Sequence, residues 1–430
     1  MPITPDLDRH PELTSQDADY ARLLEHDPSR VEVWRMRTRI ALQQRNNDRA
    51  VALLEEAVRV NPGQEALLED LANLYLLKRD PAAARPIVER LLQADGDTPE
   101  HIFSRARLLW LEGAYDEAIG LFKQAIEKQP EEARFLISLI RSLVSVDAIP
   151  EALHSIARFG ATAGSAEMMG LLAQYRFDVS GIDAALEAVD HGLRQSPQHP
   201  TLHYLRAALR TLSGDPRHAK GSIALVEGDE LMGSRWRGFL FARAQGDAAV
   251  FCGLGSALLE RSLKAAPAAG VVAEFGVYHG LSLRRLARHV ASPIHGFDSF
   301  DGLPEDWKPG EPKGSYSTHG RVPEMPEHVR LHRGWFEDTL PGFVAAQHEK
   351  LRFVHVDCDL YSSTCTVLEG LRPLLQTGTV LLFDEYLGYE GFEQHEFRAW
   401  QEFTGRHGIR YEYIAFELIA KQAAVRITAL

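Results

Sequence analysis

The chain has 430 residues, of which 45% are hydrophobic and 25% charged, a composition typical of globular proteins and not of disordered or fibrous ones. Its formal net charge is −13, spread over both halves, which argues against binding of nucleic acid or a membrane surface through bulk charge. Three cysteines are too few for a disulfide framework, and the first residues lack a signal-peptide pattern. We therefore expect a cytoplasmic protein with about two or three domains.

The first half of the chain is internally repetitive. Small residues recur every 34 positions, at Ala50, Ala84, Ala118 and Ala152. A large apolar residue stands four positions after each of them, as at Leu54 and Phe122. A period of this length indicates a helix–turn–helix repeat, in which small residues let paired helices approach closely. We expect the array to cover residues 31–240, after a lead-in or capping segment at 1–30.

This pattern resembles the tetratricopeptide repeat, whose aromatic positions coincide with Trp34 and Tyr75. The resemblance implies an all-α solenoid of about six repeats with a concave surface that can hold a peptide or a protein partner. The alternative is a scaffold that dimerises the protein or supports the second domain. We expect a homodimer, with self-association or partner binding through the repeats.

From about residue 250 the pattern changes to alternating strands and helices. Apolar runs predict strands at 271–275, 293–297, 329–332, 351–356 and 379–383, with two closing strands near 410–414 and 424–428. The spacing predicts an α/β domain over residues 250–430, a doubly wound and mainly parallel sheet with helices on both faces. Because ligands bind at the carboxyl ends of strands in such sheets, the residues after each strand are the candidates for function.

Two loops have the composition of a nucleoside site. Glu274, Gly276 and Gly280 follow the first strand as E-x-G-x-x-x-G, which is not the dinucleotide pattern G-x-G-x-x-G and resembles the first motif of S-adenosylmethionine-dependent methyltransferases. Asp298 follows the second strand, where a carboxylate accepts hydrogen bonds from ribose hydroxyls. The alternative reading is an ordinary strand–helix turn with Asp298 as its cap.

Aromatic residues and an irregular segment flank these loops. Trp335 and Phe336 follow the third strand, where they are expected either to border an adenine ring or to pack in the core. Residues 302–328 form a long segment rich in proline and glycine. We expect it to be a mobile cover over an acceptor pocket, with an ordinary surface loop as the alternative.

Acidic pairs follow the next two strands. Asp357 and Asp359 come after the fourth strand, and Asp384 and Glu385 come after the fifth. Neighbouring strand ends would bring these carboxylates together, and their mutual repulsion is relieved by a hard divalent cation with oxygen ligands. The sequence thus predicts a Mg²⁺ site; solvated loop carboxylates are the alternative.

Together these segments resemble the macrocin O-methyltransferase family of class I methyltransferases. The matching stretches are 274–280, 298–304, 334–341, 356–364 and 383–386. The resemblance implies a Rossmann-like class I fold, S-adenosylmethionine as cofactor, Asp357, Asp384 and Glu385 as metal ligands, and Asp359 as general base. It also implies cofactor contacts from the residues at the ends of the first three strands: Glu274, Gly276, Tyr278, Gly280, Ser282, Asp298, Ser299, Gly334, Trp335 and Phe336.

The expected activity is metal-dependent transfer of a methyl group from S-adenosylmethionine to a hydroxyl of a sugar or another natural product. A first alternative is O-methylation of a peptide or protein, carboxyl groups included, delivered by the repeats. A second alternative is a non-catalytic partner-binding protein whose methyltransferase fold is degenerate. A nicotinamide oxidoreductase is disfavoured because it predicts G-x-G-x-x-G and no cluster of four acids.

Overall fold

The computed structural model describes residues 11–44, 46–95, 98–163, 165–246, 249–308, 310–419 and 421–430. The first ten residues of the predicted lead-in segment lie outside these ranges. Contacts divide the chain into two compact units, residues 1–142 and 143–430. In the described ranges, no helix is long and apolar enough to span a membrane.

The first unit is built from consecutive helices. Its helices are α1 (Pro11–His26), α2 (Val31–Gln43), α3 (Asn47–Val60), α4 (Glu65–Leu77), α5 (Pro81–Asp95), α6 (Pro99–Leu111) and α7 (Tyr115–Lys128), and α8 (Ala133–Ser145) begins in this unit. Helices α2 and α3, α4 and α5, and α6 and α7 pack as pairs. This is the helix–turn–helix arrangement that the 34-residue period predicts.

The periodic residues form the core of these pairs. Ala50, Ala84 and Ala118 are fully buried, and so are the large residues Leu54 and Phe122, which follow two of them by four positions. Four residues correspond to about one helical turn, so the small and the large side chain share one helix face. The repeat therefore places a close helix–helix contact and a space-filling side chain in each pair, as predicted.

The second unit joins further helices to an α/β sheet. Its helices are α9 (Ile149–Ala163), α10 (Ala166–Ser180), α11 (Ile182–Gln195), α12 (Pro200–Leu212), α13 (Lys220–Glu227), α14 (Glu230–Ala244), α15 (Gly255–Ala265), α16 (Leu281–His289), α17 (Phe336–Ala346), α18 (Tyr361–Leu371) and α19 (Glu396–His407). Asp178 of α10 accepts backbone hydrogen bonds from Gly253 at 2.6 Å and Leu254 at 2.9 Å. Helix α10 thus holds the backbone at residues 253–254, at the start of the α/β part of the chain.

The sheet has eight strands: β1 (Val250–Cys252), β2 (Val271–Phe275), β3 (Ile294–Asp298), β4 (Val329–Arg333), β5 (Leu351–Val356), β6 (Val380–Phe383), β7 (Arg410–Glu417) and β8 (Ala423–Ala429). Their order is β1-β7-β8-β6-β5-β2-β3-β4. The five strands from β6 to β4 are mutually parallel, whereas β8 pairs antiparallel with both β6 and β7. The predicted fold class, a helical repeat array followed by an α/β domain, is confirmed.

Helices cover both faces of this sheet. Phe275, Phe297 and Phe383 pack on one face against α17, α18 and α19, while Val272 and Phe353 pack on the other face against α15 and α16. The strand β1 was not predicted from the sequence, because three residues are too short a pattern to detect.

Candidate active site

The predicted site residues follow five strands that are neighbours in the sheet. These strands lie in the order β6-β5-β2-β3-β4 and run parallel, so their carboxyl ends share one edge. The loops after β2, β3 and β4 carry the predicted cofactor contacts, and those after β5 and β6 carry the acids. The described structure therefore brings both groups of residues to the same edge of the sheet.

The loop after β2 is in direct backbone contact with the loop after β5. Gly276 has a φ of +91°, and a Cβ at this position would stand 1.7 Å from the carbonyl oxygen of Asp357. No side chain fits there, so glycine is required both by conformation and by space. Gly280, with a φ of +74°, precedes the first residue of α16.

Glu274 is fully buried at the end of β2. One of its oxygens accepts a hydrogen bond from the hydroxyl of Ser282 at 3.0 Å, and the other lies 2.9 Å from Nδ1 of His355. The structure thus brings together two predicted cofactor residues and adds a histidine from β5 that the sequence analysis did not single out. The cofactor role of Glu274 and Ser282 stays a prediction.

Asp298 organises the loops after β2 and β3. One carboxylate oxygen accepts the backbone N–H groups of Val277 and Tyr278, and the other accepts that of Phe300, each at 2.7 Å. Tyr278 has a φ of +52°, in the left-handed region. The turn role considered for Asp298 is therefore present in the structure, and its role toward ribose stays a prediction.

The remaining predicted cofactor residues surround this loop. The Ser299 hydroxyl accepts a hydrogen bond from the N–H of Asp301 at 3.1 Å, and the Gly334 N–H donates to the Asp298 carbonyl at 3.0 Å. Trp335 is half-buried and caps α17, whereas the Phe336 ring packs edge-on against Phe275 with centroids 5.5 Å apart. Phe336 therefore has the core contact that was considered for it, and contact with adenine is untested for both aromatics.

The acids after β5 and β6 lie close enough to perturb each other. Burial raises the pKa of Asp357 well above its ordinary value, and the charges of Asp384 and Asp359 raise it further. Burial, followed by the charges of Glu385 and Asp384, raises the pKa of Asp359 to about 7. Asp359 also has a φ of +61°, a conformation that costs energy in a residue other than glycine. These features are typical of functional sites.

Two side chains from the turn between β7 and β8 bind Asp384. The Lys421 ammonium lies 3.0 Å from Oδ2 of Asp384 and 2.6 Å from Oε1 of Glu385, and the Gln422 amide donates to Oδ1 of Asp384. Burial acts to raise the pKa of Asp384, but Lys421 and His355 outweigh it and lower that pKa to about 2. Neither turn residue was predicted from the sequence, because nothing in their local pattern distinguishes them.

A buried glutamate of helix α19 supports the loop after β6. Glu396, at the start of α19, is fully buried and accepts the N–H of Glu385 through Oε2 at 3.1 Å. Burial raises the pKa of Glu396 well above its ordinary value, and the charge of Asp359 adds to this. The edge of the sheet therefore brings together more carboxyl groups than Lys421 alone can pair with.

The donor atoms present fit a divalent cation. One ligand atom each of His355, Asp357 and Asp384 lie within 4.8 Å of one another. His355 is buried, and across the described residues its Nε2 has no hydrogen-bond partner. A buried imidazole nitrogen that lacks a hydrogen-bond partner and lies beside two carboxylates has the chemistry of a metal ligand.

Comparisons with known families agree with this architecture. Residues 273–386 match the family model of a methyltransferase domain, and residues 41–103 and 105–134 match models of the tetratricopeptide repeat. The chain thus carries tetratricopeptide repeats followed by a methyltransferase domain, as the two resemblances imply.

Individual relatives share the methyltransferase part of the chain. One is the 8-demethyl-8-(2,3-dimethoxy-alpha-L-rhamnosyl)-tetracenomycin-C 4'-O-methyltransferase of Streptomyces olivaceus, 32% identical over 27% of this chain and 53% of the relative. Another is the demethyldecarbamoylnovobiocin O-methyltransferase of Streptomyces niveus, 32% identical over 21% of this chain and 40% of the relative. A third is the mycinamicin III 3''-O-methyltransferase of Micromonospora griseorubida, 31% identical over 24% and 36%. The chain spans about half the length of the first of these and less of the other two.

Proposed function

We propose that the protein is an S-adenosylmethionine-dependent O-methyltransferase that acts on a hydroxyl of a sugar or another natural product. The methyltransferase domain supports the cofactor, and the names of the three relatives support an oxygen acceptor on a glycosylated scaffold. The observation that carries the proposal is the half-buried Asp359 at the carboxyl edge of the sheet, beside Glu385 and Asp384, with its pKa raised to about 7 as suits a general base.

The proposed reaction is a single displacement. Bound S-adenosylmethionine supplies an activated methyl on a positively charged sulfur. This chemistry would let an acceptor oxygen displace the sulfur, with the electron pair of the broken carbon–sulfur bond leaving on sulfur. The acceptor proton passes to Asp359. Because the methyl donor is already activated, positioning of the two reactants accounts for most of the acceleration.

The loops after β2 and β3 are proposed to hold the cofactor. Gly276 keeps its backbone free of a side chain, and Asp298 fixes the conformation of the glycine loop through three N–H groups. Helix α16 begins directly after Gly280 and presents free N–H groups at this edge. These features build a rigid cradle whose cofactor contacts are the residues predicted from the sequence.

The acids are proposed to hold a divalent cation, Mg²⁺ in the simplest case, through Asp357 and Asp384 with Glu385 as the third predicted ligand. When bound, such a cation supplies positive charge that lowers the pKa of a nearby hydroxyl. In the described structure Glu385 is bound to Lys421, so its use as a ligand requires that this ion pair open.

The repeats are proposed to serve dimerisation or recognition of the acceptor or of a partner protein. Their support is the matched repeat architecture alone, since stacked helix pairs present an extended surface. The acceptor hydroxyl itself is expected to reach the acids past residues 302–328, the segment predicted from the sequence to cover the acceptor pocket.

The experiment uses labelled S-adenosylmethionine with a panel of deoxysugar glycosides as acceptors. We expect Asp359→Asn to lose methyl transfer at least about a hundredfold while binding the cofactor with nearly unchanged affinity, because proton transfer and binding use different groups. Glu349→Gln, an exposed acid of the same domain, is the control and should behave as the wild type. Equal losses of cofactor affinity and turnover in Asp359→Asn would contradict the base role.

A further inference from the structure

We propose that His355 is a ligand of the metal in this site and that Glu274 orients it. The inference rests on the metal-dependent part of the proposed function and changes its ligand set. It assigns to β5 a nitrogen ligand beside the carboxylates of Asp357 and Asp384.

The sheet register brings these groups to one face. His355 and Asp357 are two positions apart, and alternate residues of a strand point to the same face. His355 is opposite Glu274 on one neighbouring strand and opposite Leu382 on the other. Asp384 stands two positions beyond Leu382, so it continues the same face. Four polar side chains thus converge at the carboxyl edge, and ligand atoms of three of them lie within 4.8 Å of one another.

Glu274 determines which nitrogen of His355 is available. Its carboxylate oxygen lies 2.9 Å from Nδ1, and an ionised carboxylate only accepts hydrogen bonds. Nδ1 therefore donates to Glu274, and Nε2 coordinates the cation once its own proton is released on binding. A carboxylate that fixes the ring of a ligating histidine through its second nitrogen is a recurrent feature of metal sites.

The buried Nε2 atom is the independent observation. His355 is 6% exposed, and within the described ranges no hydrogen-bond partner reaches Nε2. Leaving a buried polar atom unsatisfied costs about 1–3 kcal/mol, and among the buried atoms of this kind in the described residues Nε2 of His355 is one that faces two carboxylates. Metal–ligand bonds of about 2.0–2.2 Å place two donors at most about 4.4 Å apart, so donors within 4.8 Å of one another need only a small side-chain adjustment to share a cation.

The ion pair of Glu385 leaves a ligand position that His355 can take. Its Oε1 lies 2.6 Å from the Lys421 ammonium, and its N–H is fixed by Glu396. With Glu385 engaged in this way, His355 provides a third ligand that does not require the Glu385–Lys421 pair to open, whereas Asp384 must exchange its contact with Lys421 or Gln422 for the cation. A set of one imidazole and two carboxylates favours first-row ions such as Mn²⁺ or Co²⁺ over Mg²⁺, which prefers oxygen ligands.

The test is Mn²⁺ binding to the full chain, followed by electron paramagnetic resonance. Pulsed spectra of the wild type should show modulation from a directly bound ¹⁴N nucleus. His355→Gln should lose this modulation and bind Mn²⁺ at least about tenfold more weakly, and Glu274→Gln should weaken binding by about 10–100-fold. His295→Gln, which removes another buried histidine of the sheet, should keep both signals.

The outcomes separate the two proposals. Bound Mn²⁺ without nitrogen modulation in the wild type would overturn the role of His355 and leave the carboxylate site of the proposed function intact. This readout needs no variant, so a folding defect in His355→Gln does not affect it. Failure of the wild type to bind Mn²⁺ at all would overturn both the histidine ligand and the metal dependence.

Discussion

Replacement of Asp298 by alanine is expected to loosen the loops that are proposed to hold the cofactor. The substitution removes the acceptor of three backbone N–H groups, those of Val277, Tyr278 and Phe300, each now bonded at 2.7 Å. A hydrogen bond to a charged group contributes about 1.5–3 kcal/mol, and such contributions within one network do not add fully. We therefore expect the local opening free energy to fall by about 3 kcal/mol, which corresponds to about a hundredfold change in the opening equilibrium.

Hydrogen exchange measures this loosening directly, without requiring the whole chain to unfold in one step. Mass spectrometry of peptides that cover residues 276–282 and 298–302 should show exchange about a hundredfold faster in Asp298→Ala than in the wild type. Asp301→Ala is the matched control, because its carboxylate is exposed and lies three positions away. Exchange in Asp298→Ala within about threefold of the wild type would refute the role assigned to this carboxylate.

Three further predictions concern packing and pH. Gly276→Ala should lose S-adenosylmethionine binding and lower the melting temperature, because its Cβ would stand 1.7 Å from a carbonyl oxygen. Gly342→Ala, whose Cβ would have nothing within 4 Å, should keep the binding and the melting temperature of the wild type. Calorimetry and thermal unfolding measure the two quantities. Burial lowers the pKa of His295 from 6.5 to about 4, so only the unfolded chain gains a proton at this residue as the pH falls between these values. The free energy of unfolding should therefore drop by about 1.4 kcal/mol per pH unit in this window. Chemical denaturation at pH 7 and pH 5 should show that His295→Asn removes this contribution. Phe122→Ala, in the repeats, should lower the free energy of unfolding by about 3–5 kcal/mol in chemical denaturation, and a change no larger than that of the exposed Leu77→Ala would contradict the packing role of the repeat position.

The repeats and the central strands were predictable because their signals are local and periodic. Ala50, Ala84 and Ala118 recur at a fixed interval and all lie buried between helices. The apolar runs at 271–275 and 351–356 are strands with the predicted bounds. Since parallel neighbours end at one edge of a sheet, the strand pattern alone is enough to predict that the residues after these strands lie together.

The partners of the acids were not predictable from local patterns. Lys421 and Gln422 are 37 and 38 positions from Asp384, and they reach it because β8 inserts antiparallel beside β6. The pairing of His355 with Glu274 spans 81 positions and depends on the register of β2 and β5. This last pair had a detectable signal, because a histidine inside an apolar strand two positions before an acid shares the face of that acid.

Binding of S-adenosylmethionine by the full chain, measured by isothermal titration calorimetry, tests the central claim most directly. The proposed function predicts saturable binding of one cofactor molecule per chain, lost in Gly276→Ala and retained in Asp359→Asn. Absence of heat at millimolar cofactor in the wild type would contradict it and would favour a repeat protein whose methyltransferase domain no longer binds its cofactor.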